Sequence, residues 1–231
     1  MTECHLLSAG AAQDVVNSVR SEFEKVTGVT LRPVFAPVGV LRERIIAGEP
    51  CDVMITSEVH FQPLVDEGYL NPDTRSDLGR VSTSVAVRSG NTIPDIGGAD
   101  AVREAILAAS TIYCSDPERS TGGSHTFAVL DRLGVAAIVA DRISVHPNGA
   151  TAMQALAADN REDTIGFAQS TEVLYTDGVQ LVGPLPTPID RVTTYLACAA
   201  SGEQGAAATA LIDLVAGPDT RSLRSDAGFQ Q

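Results

Sequence analysis

At three places in this chain an apolar strand gives way to a helix through small residues: Ser8-Ala9-Gly10-Ala11, Pro37-Val38-Gly39 and Ser120-Thr121-Gly122-Gly123. Small side chains at such a junction leave the first N–H groups of the helix uncovered, and the helix dipole behind them favours an anion. Ser8, Ser120 and Thr121 add hydroxyls. Ala9, Gly10, Ala11, Pro37, Val38, Gly39, Gly122 and Gly123 offer backbone alone. The chemistry this implies is the binding of a carboxylate or an inorganic oxyanion. Gln169, after a further apolar strand, adds an amide that both donates and accepts, unless it is an exposed loop glutamine. Gly149-Ala150-Thr151 opens another helix, where Asn148 or Thr151 serves as an N-cap or touches the ligand. Arg119, just before the third turn, is placed to add a guanidinium, a natural carboxylate partner, ahead of Arg42 and Arg44 one turn into the second helix.

Proton chemistry has fewer candidates. His125 follows the third turn and suits an allylic proton shift, in which one group removes a proton and returns it two carbons away. The alternative for it is a packed helix-start histidine. Glu118 is a second candidate base, with Glu58 and Glu172 behind it. No Ser/His/Asp order, zinc spacing, phosphate-loop lysine or dinucleotide fingerprint occurs in the sequence, so neither a metal site nor a cofactor is expected.

The elements that must position these residues alternate β-α-β-α, which predicts a mostly parallel sheet covered on both faces. Strands are expected at 4–8, 29–35, 51–55, 111–115, 142–145, 164–168 and 180–182. Helices are expected at about 11–27, 38–47, 58–69, 99–109, 123–133, 149–159, 170–176 and 202–216, with a short one at the C-terminus. Two longer β segments, 81–87 and 191–200, bracket the central block and look like crossings between two lobes. One lobe is then 1–81 plus 194–231 and the other 82–193, with a ligand cleft expected between them.

Bulk composition narrows the classes. The 231 residues, 44% hydrophobic and 19% charged, are enough for one large domain or two small ones with proper cores. A net charge of −13 argues against nucleic acid or an anionic membrane as partner. A small anionic ligand must therefore be held by local N–H groups, hydroxyls and a few arginines against the overall field. No run of eighteen apolar residues is present for membrane insertion. The opening Met1-Thr2-Glu3-Cys4 lacks a basic and apolar leader, which predicts a cytoplasmic protein, or a periplasmic or extracellular one if the chain is a mature form. Cys4, Cys51, Cys114 and Cys198 are too scattered for a disulfide or zinc framework and read as small buried hydrophobes.

From Leu6 to Phe229 the chain resembles the molybdate-binding type of solute-binding protein, built on the type II periplasmic-binding-protein fold. The markers, in order, are Ser8-Ala9-Gly10-Ala11, Phe35 to Leu41, Ala47-Gly48-Glu49-Pro50-Cys51-Asp52-Val53, Asp116-Pro117-Glu118, Gly122-Gly123, Ile165-Gly166-Phe167 and Gly217-Pro218. The resemblance implies an α/β fold of two lobes joined by two crossing segments, with a transporter permease as partner for members that deliver a solute. Departures from the pattern are also present. Ala11 and Pro37-Val38 stand where the molybdate binders place serines, and Gln169 stands where they place a tyrosine. In this the chain looks more like a divergent branch that includes aconitate isomerase, an enzyme that moves a double bond in a tricarboxylate. The resemblance implies either such an isomerase, acting on a small polycarboxylate without a cofactor, or a binding protein for a carboxylate or oxyanion such as molybdate.

Overall fold

A computed structural model describes residues 3–202 and 205–230. The chain runs β1 (Glu3–Ala9), α1 (Gln13–Thr27), β2 (Thr30–Ala36), α2 (Val38–Ile46), β3 (Val53–Ser57), α3 (Glu58–Asp66), β4 (Ser76–Arg88), α4 (Ala99–Ala108), β5 (Thr111–Ser115), α5 (Thr121–Arg132), α6 (Ala136–Val139), β6 (Ile143–His146), α7 (Gly149–Ala158), β7 (Thr164–Gln169), α8 (Ser170–Tyr175), β8 (Val179–Pro184), β9 (Val192–Ala199), α9 (Ala206–Ala216) and α10 (Arg221–Asp226). It divides into two compact units, the first up to Val81 and from Thr193 on, the second Ser82–Val192.

In the first unit β1 lies parallel between β2 and β3, and β9 runs antiparallel to β3. Successive residues of a strand face opposite sides, and the two layers follow from that. Leu6, Val53 and Ile55 pack with Val15, Val16, Val19 and Phe23 of α1 and Leu211 and Val215 of α9. Leu7 and Met54 turn to the other face, against Leu41 and Ile45 of α2 and Phe61 and Leu64 of α3. Gly28 ends α1 at φ 67°, its N–H donating to Glu24 O, a left-handed cap that only glycine adopts at little cost.

In the second unit β5 lies parallel between β6 and β7, β7 is antiparallel to β4, and β8 also pairs β4. Val85, Ile112, Cys114 and Phe167 pack with Val102 and Ile106 of α4 and Val129 and Leu130 of α5. Ala86, Tyr113 and Ala168 face Ala152, Met153 and Leu156 of α7 and Val173 of α8. Each of the four core clusters draws its residues from one unit only.

Differences from the sequence expectation are local. The first helix is preceded by a 3-10 turn at Gly10–Ala12. The expected helix over 58–69 stops at Asp66, because Gly68 takes φ 82°. The helix expected from 123 starts at Thr121, because the Ser120 hydroxyl caps it. The short α6 was not expected, and α9 begins at Ala206, with 203–204 of its expected range outside the described residues. No helix among the described residues is long and apolar enough to cross a membrane.

Candidate functional site

Parallel strands bring their following helix starts to one edge of a sheet, the edge where α/β proteins bind ligands. In the first unit the register sets Ser8 beside Phe35 and Ile55, and Ala9 beside Ala36, so the turns after β1, β2 and β3 share one edge. Ser8 is fully buried, and its hydroxyl donates to Ala9 O at 3.1 Å. Ala9 precedes the 3-10 turn with no side-chain cap, and Ala11 and Ala12 are buried beneath it, so this start offers main chain alone. Pro37 is the N-cap of α2, again with no side-chain cap, and Val38 is buried while Gly39 keeps some exposure. Arg42 and Arg44 pair with Glu67 and Glu49 on the surface, and Glu58 pairs with Arg75.

Sequence reasoning missed a hydroxyl–imidazole pair at the end of β3. Ser57 Oγ lies 3.0 Å from His60 Nδ1, and burial together with Arg42 lowers the pKa of His60. The Ser-x-x-His spacing at a strand–helix junction was the signal available.

In the second unit, β5 ends at Ser115, and its buried hydroxyl lies 2.6 Å from that of Ser120. Ser120 Oγ in turn accepts from Gly123 N at 2.9 Å. Two hydroxyls therefore sit at a helix start whose first N–H groups have no intrahelical acceptor. The two glycines differ in role. A Cβ at Gly122 would meet Ser115 Oγ at 3.6 Å, an ordinary contact, whereas one at Gly123 would lie 2.6 Å from the Asp116 carbonyl carbon. Gly123 lets α5 close on β5, and its N–H is spent in the cap. Ser115 was overlooked as a site residue, although its position at the strand end marked it.

His125 is buried at 9% exposure, and its Nε2 donates to Ile189 O at 3.0 Å. Burial is the largest influence on the ring and holds its pKa below the usual value. The structure gives His125 a packing and hydrogen-bonding role at the helix start rather than a free imidazole. Glu118 and Arg119 are exposed in the loop before α5, where Glu118 N donates to Asp116 Oδ1.

Thr151 belongs to a capping box: Asn148 Oδ1 accepts Thr151 N at 2.8 Å, and Thr151 Oγ1 bonds back to Asn148. Its hydroxyl is therefore engaged in the cap. Gln169 is buried, not an exposed loop glutamine, and ends β7 with its N–H donating to Glu172 Oε2 at 3.3 Å. Cys4, Cys51 and Cys114 are pushed up to about 12 by burial, which leaves their thiols unreactive. No cluster of three or more His, Cys, Asp or Glu suited to a metal ion occurs among the described residues. These turns present hydroxyls, N–H groups and an amide, groups that can hold an anionic oxygen.

A family model described as bacterial extracellular solute-binding protein matches residues 4–230. The chain is 29% identical over 242 residues to aconitate isomerase of Pseudomonas sp, covering all of this chain and 88% of that protein. It is 21% identical over 228 residues to the molybdate-binding protein ModA of Escherichia coli (strain K12), covering 97% of this chain and 87% of that one. Among solved structures, the periplasmic molybdate-binding protein of Azotobacter vinelandii superposes with a TM-score of 0.78 at 18% identity, over 99% of both chains. At that identity the likeness shows the fold: the type II periplasmic-binding-protein fold.

Proposed function

We propose, from the premise that this chain belongs to the bacterial extracellular solute-binding protein family, that it is a cofactor-independent isomerase of a small polycarboxylate. The observation that carries this reading is the likeness, along the whole chain, to the Pseudomonas isomerase. The turns support it. A tetrahedral oxyanion cage relies on side-chain hydroxyls, and Ala11, Pro37 and Val38 supply none. The flat, singly charged carboxylates of a polycarboxylic acid suit main-chain N–H groups, the Ser115–Ser120 hydroxyl pair and the Gln169 amide. Those same donors would stabilise the enolate-like charge that develops as a proton leaves carbon. The reading takes 1–81 with 194–231 and 82–193 as its two lobes. With the His125 ring occupied by Ile189, the exposed Glu118 is its proton carrier.

A second reading is favoured by the likeness to the Escherichia coli molybdate-binding protein: a solute receptor that delivers a carboxylate or oxyanion to an ABC-type permease outside the cytoplasm. The enzyme reading is compatible with a cytoplasmic protein. Incubation with cis- and trans-aconitate in D2O, followed by NMR, separates the two. Interconversion with deuterium entering carbon supports the isomerase, and its loss in Glu118→Gln supports the named carrier. Saturable binding without exchange supports the receptor. Submicromolar molybdate binding by calorimetry, with no carboxylate binding, would overturn the isomerase reading.

A further inference from the structure

The start of α7 lies under an acidic side chain from the next helix. Glu172, third in α8, accepts N–H bonds from Gly149 and Ala150 at the start of α7 and from Gln169 at the end of β7. The fit is close: a Cβ built at Gly149 would lie 2.5 Å from the Glu172 carboxyl carbon and 2.9 Å from Oε1. Glycine at 149 lets this carboxylate lie against the helix start, and no left-handed φ is involved. A helix start with bare N–H groups attracts an anion, and here the protein supplies its own. The same carboxylate is three residues beyond Gln169, the spacing of a reciprocal cap, so it governs two strand-to-helix turns at once.

We propose that Glu172 is the positioning residue for Gln169, its carboxylate tying the first residues of α7 to the residue that opens α8 and so setting the Gln169 amide for the ligand. This rests on the binding role given to Gln169 above. Three N–H donors converge on two oxygens, an arrangement suited to a carboxylate, and protonation removes the charge that strengthens those bonds. Burial raises the Glu172 pKa to about 7, against the opposite pull of its backbone donors. The residue is half-buried, and its carboxylate is held by three backbone N–H groups. On the elements packed around it the titratable groups are Tyr113 and Cys114 of β5, His146 of β6 and Tyr175 of α8, while α7, β7 and β8 carry none. Burial and backbone donors therefore set its proton affinity, and the tie forms as pH rises through neutrality.

The test has two arms. In ligand-free wild type, the amide resonances of Gly149, Ala150 and Gln169 are followed from pH 5.5 to 8.5. They are expected to titrate together near pH 7, and a flat response at all three would overturn the proposal. In the second arm, trans-aconitate is titrated into wild type and Glu172→Gln over the same range. The ligand's own titration cancels in the ratio of the two affinities. Wild type is expected to bind about tenfold more tightly than the variant at pH 8, and the ratio is expected to shrink towards one below pH 6. A folded Glu172→Gln whose affinity and pH profile equal those of wild type would overturn the proposal. If wild type does not bind trans-aconitate, the functional reading fails, while the amide titration still decides the tie.

Discussion

The starts of α5 and α7, both in the second unit, look alike in sequence and end differently. Each opens with a polar cap and glycine: Ser120 before Gly122-Gly123, and Asn148 before Gly149. Each cap works, with Gly123 N on Ser120 Oγ and Thr151 N on Asn148 Oδ1. At α7 a carboxylate of the protein then covers the remaining donors. At α5 the neighbour is the neutral hydroxyl of Ser115, and among the described residues no carboxylate bond to this helix start is seen. Bare N–H groups at a helix start are available to an outside anion only where no other segment brings an anion of its own. The glycines follow suit: Gly123 and Gly149 are both needed for close approach, one to backbone and one to a carboxylate, while Gly122 leaves ordinary room.

The largest expected effects break this closeness. Gly123→Ala and Gly149→Ala each force a methyl into space already filled, and a loss of about 3 kcal/mol is expected for Gly123→Ala, whose neighbours are backbone. Gly149→Ala should lose less, since the Glu172 side chain can withdraw. Urea denaturation measures both, and wild-type stability in Gly123→Ala would refute the packing role.

Next is pH. Because the folded pKa of Glu172 is raised from 4.5 to about 7, the folded protein holds this proton more tightly than the unfolded chain. This group's contribution is full below about pH 4.5 and is lost as pH rises through about 7, a change of about 3 kcal/mol. Subtracting the stability–pH curve of Glu172→Gln from that of wild type should leave this slope, and a flat difference would refute it.

Smaller still, Ser120→Ala removes the α5 cap and should cost about 1 kcal/mol, with tighter carboxylate binding lost alongside. Thermal unfolding and calorimetry read the two quantities. Gly122→Ala should change stability by under about 0.5 kcal/mol, since its new methyl meets only Ser115 Oγ at 3.6 Å. A large loss there would erase the distinction between the two glycines.

Much of the layer pattern was visible in the chain. Val15, Val16, Val19 and Phe23 recur at helical spacing and do form the buried face of α1, and Thr111–Ser115 reads as a short buried strand and is one. These depend on local periodicity, which the sequence carries directly. The helices were visible for the same reason, though α1 and α5 start two residues away from the expected positions. His125 and Thr151 were harder, because a polar residue at a helix start has the same sequence signature whether it faces a ligand or caps its own backbone. Ser115 and Glu172 were undervalued because their partners come from other segments.

The sequence alone determined the alternation of strands and helices and the small residues that bare the helix starts, since side-chain size and hydrophobic spacing act within a few residues. Only the tertiary structure decided which of these groups are met by another segment. The Glu172 carboxylate on Gly149 and Ala150, the Ser115 hydroxyl on Ser120 and the Ile189 carbonyl on His125 are meetings made by packing, and a hydrogen bond forms only where packing brings donor and acceptor within about 3 Å.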